Sequence, residues 1–291
     1  MFYLFLISSS FSWRRKAGVI RVFGVTIPVL PVIKKISSKK IVISYQYDWA
    51  EQTRSNYRNI KHYVSRSIEK SSIDSADFII CTMKWLYDKA INFYHKQPDK
   101  CTIIPNYVDL DHFYPEPKQK LIVFAGRLHW SKGVDTLINA FNKFSESNSN
   151  YQLLIFGSGE EGEALMKLAG GNKNIVFKGA TPINTYAATL RVAEVFVLPT
   201  VTMEGHPKAL IEAMAAGCKC IASDASGNID VMKETDTLGN VFKAGDVNAL
   251  LNRLENIDTL DNTRTYNFAV NNYSRTILLD KECKVLESFV V

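Results

Sequence analysis

With 291 residues, 46% of them hydrophobic and 22% charged, the chain has the proportions of a soluble globular protein and enough apolar material for one large or two ordinary domains. Its five cysteines are odd in number and lack metal-site spacing; Cys218-Lys219-Cys220 is one residue short of a C-x-x-C, so reduced thiols fit better than a disulfide framework or a zinc site. The net charge of +6 is uneven: residues 1–118 hold 18 Lys/Arg and 10 Asp/Glu, the remainder 17 and 19. The basic half could face an anionic membrane or acceptor; a solvated basic surface is the bland reading of the same count.

Met1–Ile7 reads as a strand. The run is apolar but has no basic residue ahead of it, so it lacks a signal-peptide layout. Val19–Ile33 is interrupted by Arg21, Pro28 and Pro31 and is too short for a membrane span, which leaves an interfacial or buried segment. Lys40–Tyr45 is the next strand, and Asn56–Ser72 is helical. That helix carries Arg58, Lys61, Arg66 and Lys70, a set suited to an anionic surface and equally to a solvated face. Phe78–Thr82 is a strand, and Thr102–Pro105 a short one before Asn106-Tyr107-Val108-Asp109. Asp109, Asp111 and His112 read as turn and hinge residues. Pro115, Glu116 and Pro117 mark a linker.

From there strands and helices alternate. Leu121–Ala125 is a short apolar run, fit for a buried parallel strand. Its loop, Gly126–Lys132, leads into a helix with Val134, Leu137, Ile138 and Phe141 at helical spacing. Tyr151–Phe156 ends in Gly157-Ser158-Gly159, before a helix with Leu165, Met166 and Leu168. Asn174–Lys178 precedes a helix opened by Thr181-Pro182 and carrying Tyr186, Leu190 and Val192. Val195–Pro199 leads to the stretch Glu204 to Gly217, and Cys218–Ser223 follows. Asp246 caps a helix through Leu250, Leu251 and Leu254. Arg275–Phe289 is a final helix. The expected architecture is α/β: residues 1–116 form an incomplete first domain, 117–272 a doubly wound parallel sheet, and 273–291 a helix returning toward the first domain.

Three stretches carry chemistry. Arg127 and Lys132 flank the loop after the first strand of the second domain, where Gly126 lets the backbone turn. Arg offers phosphate a fork of donors, and Lys a point charge. Gly157-Ser158-Gly159 is not the dinucleotide fingerprint, because the first strand is followed by Gly126-Arg127; this disfavours a nicotinamide enzyme. The richest stretch is Glu204-Gly205-His206-Pro207-Lys208-Ala209-Leu210-Ile211-Glu212. Pro207 suits a helix start and Gly217 its end. The helix between is apolar nearly all round, so Glu212 places a carboxylate in an apolar setting where an unpaired charge is costly. Lys208 before Glu212 is the weaker order for a helical pair. Glu204 and the amides from Gly205 to Leu210 stand at the positive helix end. Two cations, an anion-binding helix end and two carboxylates suited to hydroxyl groups fit a nucleotide sugar. His62, His95, His112, His129 and His206 are scattered, with no metal set, and no nucleophile elbow is present.

These residues resemble the retaining glycosyltransferases of family 4 (glycosyl transferases group 1), which have the GT-B fold. The runs Val123-Phe-Ala-Gly126-Arg127-Leu and Lys132-Gly-Val-Asp-Thr-Leu carry the likeness, with Glu204 to Gly217. Asn106-Tyr-Val-Asp109 resembles the family's Asn-Gly-Val-Asp signature. The resemblance implies a two-domain transferase with a nucleotide diphosphate sugar donor, no metal or other cofactor, and retention of configuration. Arg127 and Lys132 would hold the diphosphate and Glu212 the ribose, and Glu204 with the amides after it the transferred hexose. Ala180, Thr181 and Pro182 would lie near the base. Two departures stand out. The family's first-domain glycine-rich loop has no counterpart here, and Gln46 takes the place of a frequent histidine, with Asp48 as the nearest acid on the acceptor side. The expected acceptor is a glycan or lipid-linked molecule; no nucleic acid is expected. The expected location is the cytoplasm, with peripheral contact at an inner membrane face. A truncated nucleotide-sugar-binding module and a GT-B sugar epimerase are the alternatives.

Overall fold

A computed structural model describes residues 18–24, 28–48 and 60–289. They fall into two compact units, one made of residues up to Pro105 with the segment from Leu278 onward, the other of Asn106–Ile277.

The first unit holds a four-stranded parallel sheet, in order β1 (Val19–Phe23), β2 (Lys40–Tyr45), β3 (Phe78–Cys81) and β4 (Cys101–Ile103). Helices α1 (Leu30–Ile36), α2 (Ile60–Ser75) and α3 (Lys84–Asn92) connect the strands. Its core gathers Leu30, Ile41, Ile43, Tyr45, Ile73, Ile79 and Leu86. Five consecutive residues of β2, Ile41 to Tyr45, are buried, as expected of a parallel strand covered on both faces.

The second unit holds β5 (Gln119–Ala125), α4 (Val134–Ser147), β6 (Gln152–Phe156), α5 (Gly162–Leu168), β7 (Ile175–Gly179), α6 (Ile183–Val192), β8 (Ala193–Leu198), α7 (Lys208–Ala215), β9 (Lys219–Ser223), α8 (Ser226–Glu234), β10 (Val241–Phe242), α9 (Val247–Glu255) and α10 (Thr263–Asn272). Helix α11 (Arg275–Glu287) follows. The six strands are all parallel, ordered β10-β9-β8-β5-β6-β7. Counted from β5 this is the order 3-2-1-4-5-6 of a doubly wound sheet. Two Rossmann-like α/β units with parallel sheets match the GT-B type.

The expected strands and helices of the second unit recur with ends shifted by a few residues. In the first, the helix runs Ile60–Ser75 and the short strand Cys101–Ile103. Within Val19–Ile33 the described residues form strand β1 and the start of α1, with Pro31 in the first turn and Leu30 buried. Met1–Ile7 and residues 49–59 lie outside the described residues. No helix among the described residues is long and apolar enough to cross a membrane. All five cysteines are unpaired, four of them buried. Part of the basic face of α2 is tied internally: Arg66 stacks over Phe93 at 4.1 Å and Lys70 reaches Asp74 at 2.7 Å.

Candidate nucleotide-sugar site

The order of the second sheet reverses between β5 and β8. Open α/β sheets bind ligands outside the strand C-termini at such a switch point. Two loops leave the strands there. The one after β5 carries Gly126, Arg127 and Lys132; the one after β8 carries Glu204, Gly205, His206 and Pro207. Lys132 donates to Glu204 Oε1, and Thr200 Oγ1 donates to the same oxygen at 2.9 Å. Their backbones are also joined, through Val201 N to Ser131 O at 2.9 Å.

Glycines make this approach feasible. Gly133 has φ 62°, and a Cβ there would stand 2.2 Å from Pro199 O. A Cβ at Gly159 would meet Leu128 O at 2.2 Å, and one at Gly157 would meet Gly126 O at 1.8 Å. Gly157-Ser158-Gly159 thus seats the Arg127 loop, which bonds across to it through Leu128 N to Ser158 O at 3.0 Å and Glu161 N to Leu128 O at 3.1 Å. The exposed Arg127 guanidinium makes no ion pair or side-chain hydrogen bond with the described residues. It is an uncommitted fork of donors on a loop whose backbone is held, five residues before the ammonium that Glu204 binds.

On the other loop, Pro207 is the cap residue of α7, so the N–H groups of Lys208 and Ala209 lack intrahelical acceptors. The backbone of Glu204 and Gly205 rests on α8: a Cβ at Gly227 would stand 1.9 Å from Gly205 O. Below it Ser223 Oγ donates to Thr200 O at 2.5 Å, and Asn228 Nδ2 to Ser223 Oγ at 3.1 Å. His206 points inward. The residue is 6% exposed, its ring packs edge-on against Tyr273 at 4.9 Å, and neither ring nitrogen has a partner among the described residues. Burial pushes its pKa down to about 3. Asn106 Nδ2 donates to its carbonyl at 2.8 Å, so the Asn106-Tyr-Val-Asp109 segment braces the same loop.

Glu212 is 6% exposed on α7, among Leu210, Ile211, Ala213 and Met214. Burial pushes its pKa up to about 7, against a small opposing pull from Lys208. That lysine, 63% exposed in its side chain, stays 3.8 Å away. The buried Tyr186 hydroxyl lies beside the carboxylate, near enough for each to perturb the other, yet without hydrogen-bond geometry to any partner. Tyr186 N bonds Pro182 O at 3.1 Å, so the turn Ala180-Thr181-Pro182, at the β7 C-terminus, is joined to the helix facing Glu212. At the other end of α7, Gly217 takes φ 72°, and Lys118 Nζ donates to Ala216 O at 2.6 Å and Arg191 O at 2.9 Å, a cation on two helix C-termini.

Lys132 and Glu204 are therefore in contact, and Arg127 shares their loop system. Tyr186, on the helix that the Ala180–Pro182 turn opens, lies beside Glu212 without a hydrogen bond to it. Asp48, in the first unit, is 3% exposed and bound to Lys89 at 2.6 Å; the same ammonium holds buried Glu69 at 2.9 Å. The Gln46 carbonyl accepts from Thr82 Oγ1 at 3.5 Å. Among the described residues no group of His, Cys, Asp and Glu could hold a metal ion. Sequence reading missed Thr200, Ser223, Gly227 and Tyr186. Tyr186 shows only as an apolar helix position, and the other three leave no periodic signal.

A profile of the family described as glycosyl transferases group 1 matches residues 111–269, more than half of the chain. The chain belongs to that family. It is 34% identical over 160 residues to the phosphatidyl-myo-inositol mannosyltransferase of Mycobacterium leprae, a match covering 52% of this chain and 42% of that protein. It is 32% identical over 167 residues to the putative colanic acid biosynthesis glycosyltransferase WcaL of Escherichia coli, covering 53% and 41%. The aligned part thus spans about two fifths of the length of these relatives. Among solved structures it is similar to a sucrose-phosphate synthase from Thermosynechococcus elongatus, with a TM-score of 0.80 and 18% identity over 97% of this chain and 77% of that one. Anabaena HepE, solved with UDP and glucose, gives 0.75 and 14% over 92% and 78%. At such identities the likeness is one of fold. For this group 1 family member, it agrees with the two parallel α/β units described above.

Proposed function

We propose that this group 1 family member transfers a hexosyl group from a nucleotide diphosphate sugar to a glycan or lipid-linked acceptor, with retention at the anomeric carbon. The observation that carries this reading is the pair of loops at the β5/β8 switch point. They carry Arg127, the Lys132–Glu204 pair and the open amides of α7 along one edge of the sheet, which supports a shared ligand. A diphosphate leaving group gains charge as the glycosidic bond breaks. Arg127, Lys132 and the Lys208 and Ala209 amides would stabilise that charge without having to reorganise. Glu204, anchored by Lys132 and Thr200, would accept from hexose hydroxyls. Glu212 would accept from the ribose hydroxyls, which provide the partner that its burial withholds. The base would lie against Ala180, Thr181 and Pro182, and Gln46 and Asp48 would stand on the acceptor side.

No metal enters this scheme, since the cationic side chains and helix amides would serve the diphosphate. The proposed place of action is the cytoplasm, with peripheral contact at an anionic membrane face. Relatives named for a phosphatidylinositol acceptor and for colanic acid synthesis support the acceptor class. Lys132→Ala should lower transfer by about a hundredfold or more, as loss of one such charge stabiliser does elsewhere. Unchanged turnover in that variant would remove the site from the reaction. Binding of UDP or GDP by calorimetry without transfer from any sugar donor would instead mark a nucleotide-sugar-binding module. Proton NMR of the product's anomeric signal reads the stereochemistry.

A further inference from the structure

The first unit has a second feature suited to a ligand. Helices α1 and α2 pack side by side and leave between them a groove of about 450 Å³, lined by Pro31, Lys34, Lys35, Ser67, Lys70 and Ser71, with Asp74 and Ser75 at its end. Small side chains create the space: Ser67, Ser71 and Ser75 recur every four residues along one face of α2, where larger ones would fill it. Three lysines against one aspartate give the lining a formal balance of +2.

The donors are available. Lys35 is exposed and makes no ion pair with the described residues. Lys34 is held by Asp77 and Lys70 by Asp74, at 2.7 Å in the second case. Each ammonium has three N–H groups, so one carboxylate leaves others free. The hydroxyls of Ser67 and Ser71 make no hydrogen bond to the described residues, whereas that of Ser75 is spent on Ser71 O at 2.7 Å.

The position separates this groove from a substrate site of the usual kind. Asp77, which holds Lys34, immediately precedes β3 and accepts from Ile41 N at 2.8 Å. That end of the groove therefore lies at the strand N-termini, and doubly wound sheets bind substrates at the opposite edge.

We propose that this groove binds a phosphate group. Lys35, Lys70 and Lys34 would supply charge, and Ser67 and Ser71 hydrogen bonds. A lipid headgroup and a soluble phosphate ester share this chemistry. The groove is built from the first unit and the donor loops from the second, so it survives or fails independently of the transfer reaction proposed above.

The test uses the full chain with two probes: vesicles of phosphatidylglycerol, with phosphatidylcholine vesicles as control, and sn-glycerol 3-phosphate followed by NMR. Binding to phosphatidylglycerol but not phosphatidylcholine assigns the groove to a headgroup. Saturable binding of glycerol 3-phosphate without vesicle binding assigns it to a soluble ester. In either case the double variant Lys35→Glu, Lys70→Glu should weaken binding by at least about tenfold, each surface lysine being worth several-fold. Lys167→Glu with Lys243→Glu, equal in charge and exposed on the second unit, should have little effect. Ser71→Leu, which fills the groove and leaves the charge unchanged, should reproduce the loss. UDP or GDP affinity should be unchanged in all three. Neither probe binding, binding insensitive to the groove variants, or equal loss in the Lys167/Lys243 control would each overturn the proposal.

Discussion

Replacing Glu212 by glutamine should stabilise the free protein and weaken its hold on a nucleoside diphosphate. The carboxylate is buried, and its counter-charge among the described residues is an exposed lysine 3.8 Å away. Its pKa rises from an ordinary 4.5 to about 7. At about 1.36 kcal/mol per unit, that difference makes the ionised form cost ~3 kcal/mol in the folded chain. Below about pH 4.5 the group is protonated in both folded and unfolded chains, and the cost is absent. As pH rises toward about 7 the unfolded chain ionises first, and stability falls. Above that value the full cost persists. Glutamine is neutral throughout, so the gap between variant and parent should open from near zero at about pH 4 to ~3 kcal/mol at about pH 8. For a unit of this size that is roughly 6–10 °C in Tm. Thermal unfolding across this range reads the gap. Calorimetry with UDP and GDP should show affinity lost by about tenfold or more, as hydrogen bonds to a charged group disappear. A glutamine variant less stable than the parent at every pH would refute the reasoning, because the carboxylate would then have an ordinary structural partner.

The remaining predictions concern the scaffold around it. His206→Phe removes two buried nitrogens that have no partner among the described residues and should raise stability by ~1 kcal/mol at neutral pH. Its effect should grow in acid: below 6.5 the unfolded imidazole takes a proton that the folded one refuses until about 3. The gap at about pH 5 should gain ~2 kcal/mol, and a gap independent of pH would show that the ring is not held neutral. Lys118→Ala leaves the Ala216 and Arg191 carbonyls without their shared donor. The cost should be ~1–3 kcal/mol by chemical denaturation, and an unchanged midpoint would contradict it. Gly159→Ala drives a methyl into Leu128 O. It should destabilise by ~2 kcal/mol or more and reduce nucleotide affinity through Arg127; loss of stability with full affinity would separate that loop from binding.

The second unit was largely legible because its strands are buried on both faces. Runs such as Ile122-Val123-Phe124 and Val195-Phe196-Val197-Leu198 therefore read as near-continuous apolar segments. Glu212 was legible for the same reason, as a charge in an apolar helix. Elements at the margins were not. Helix α8 begins Ser226-Gly227-Asn228, residues that read as loop; its glycine is there to admit the Gly205 carbonyl, a contact invisible to local propensity. Strand β10 has two residues, too short for any alternation. Helix α10 is polar on most faces and buries Thr265 and Ala269. The role of Gly157-Ser158-Gly159 was also hidden. It shapes the Arg127 loop through backbone approach, which leaves no trace beyond the glycines themselves.

The first unit is discontinuous: residues up to Pro105 are completed by those from Leu278 onward, and Arg21 on β1 forms an ion pair with Glu282. The second unit is one unbroken stretch, Asn106–Ile277. A ribosome adding about 5–20 residues per second would release the material for the second unit while the first still lacked its closing helix. Arg21 would thus wait on the order of ten seconds or more for its carboxylate. The order of synthesis and the order of assembly are therefore reversed. The unit whose residues come earlier in the chain is completed last, when Glu282 reaches Arg21.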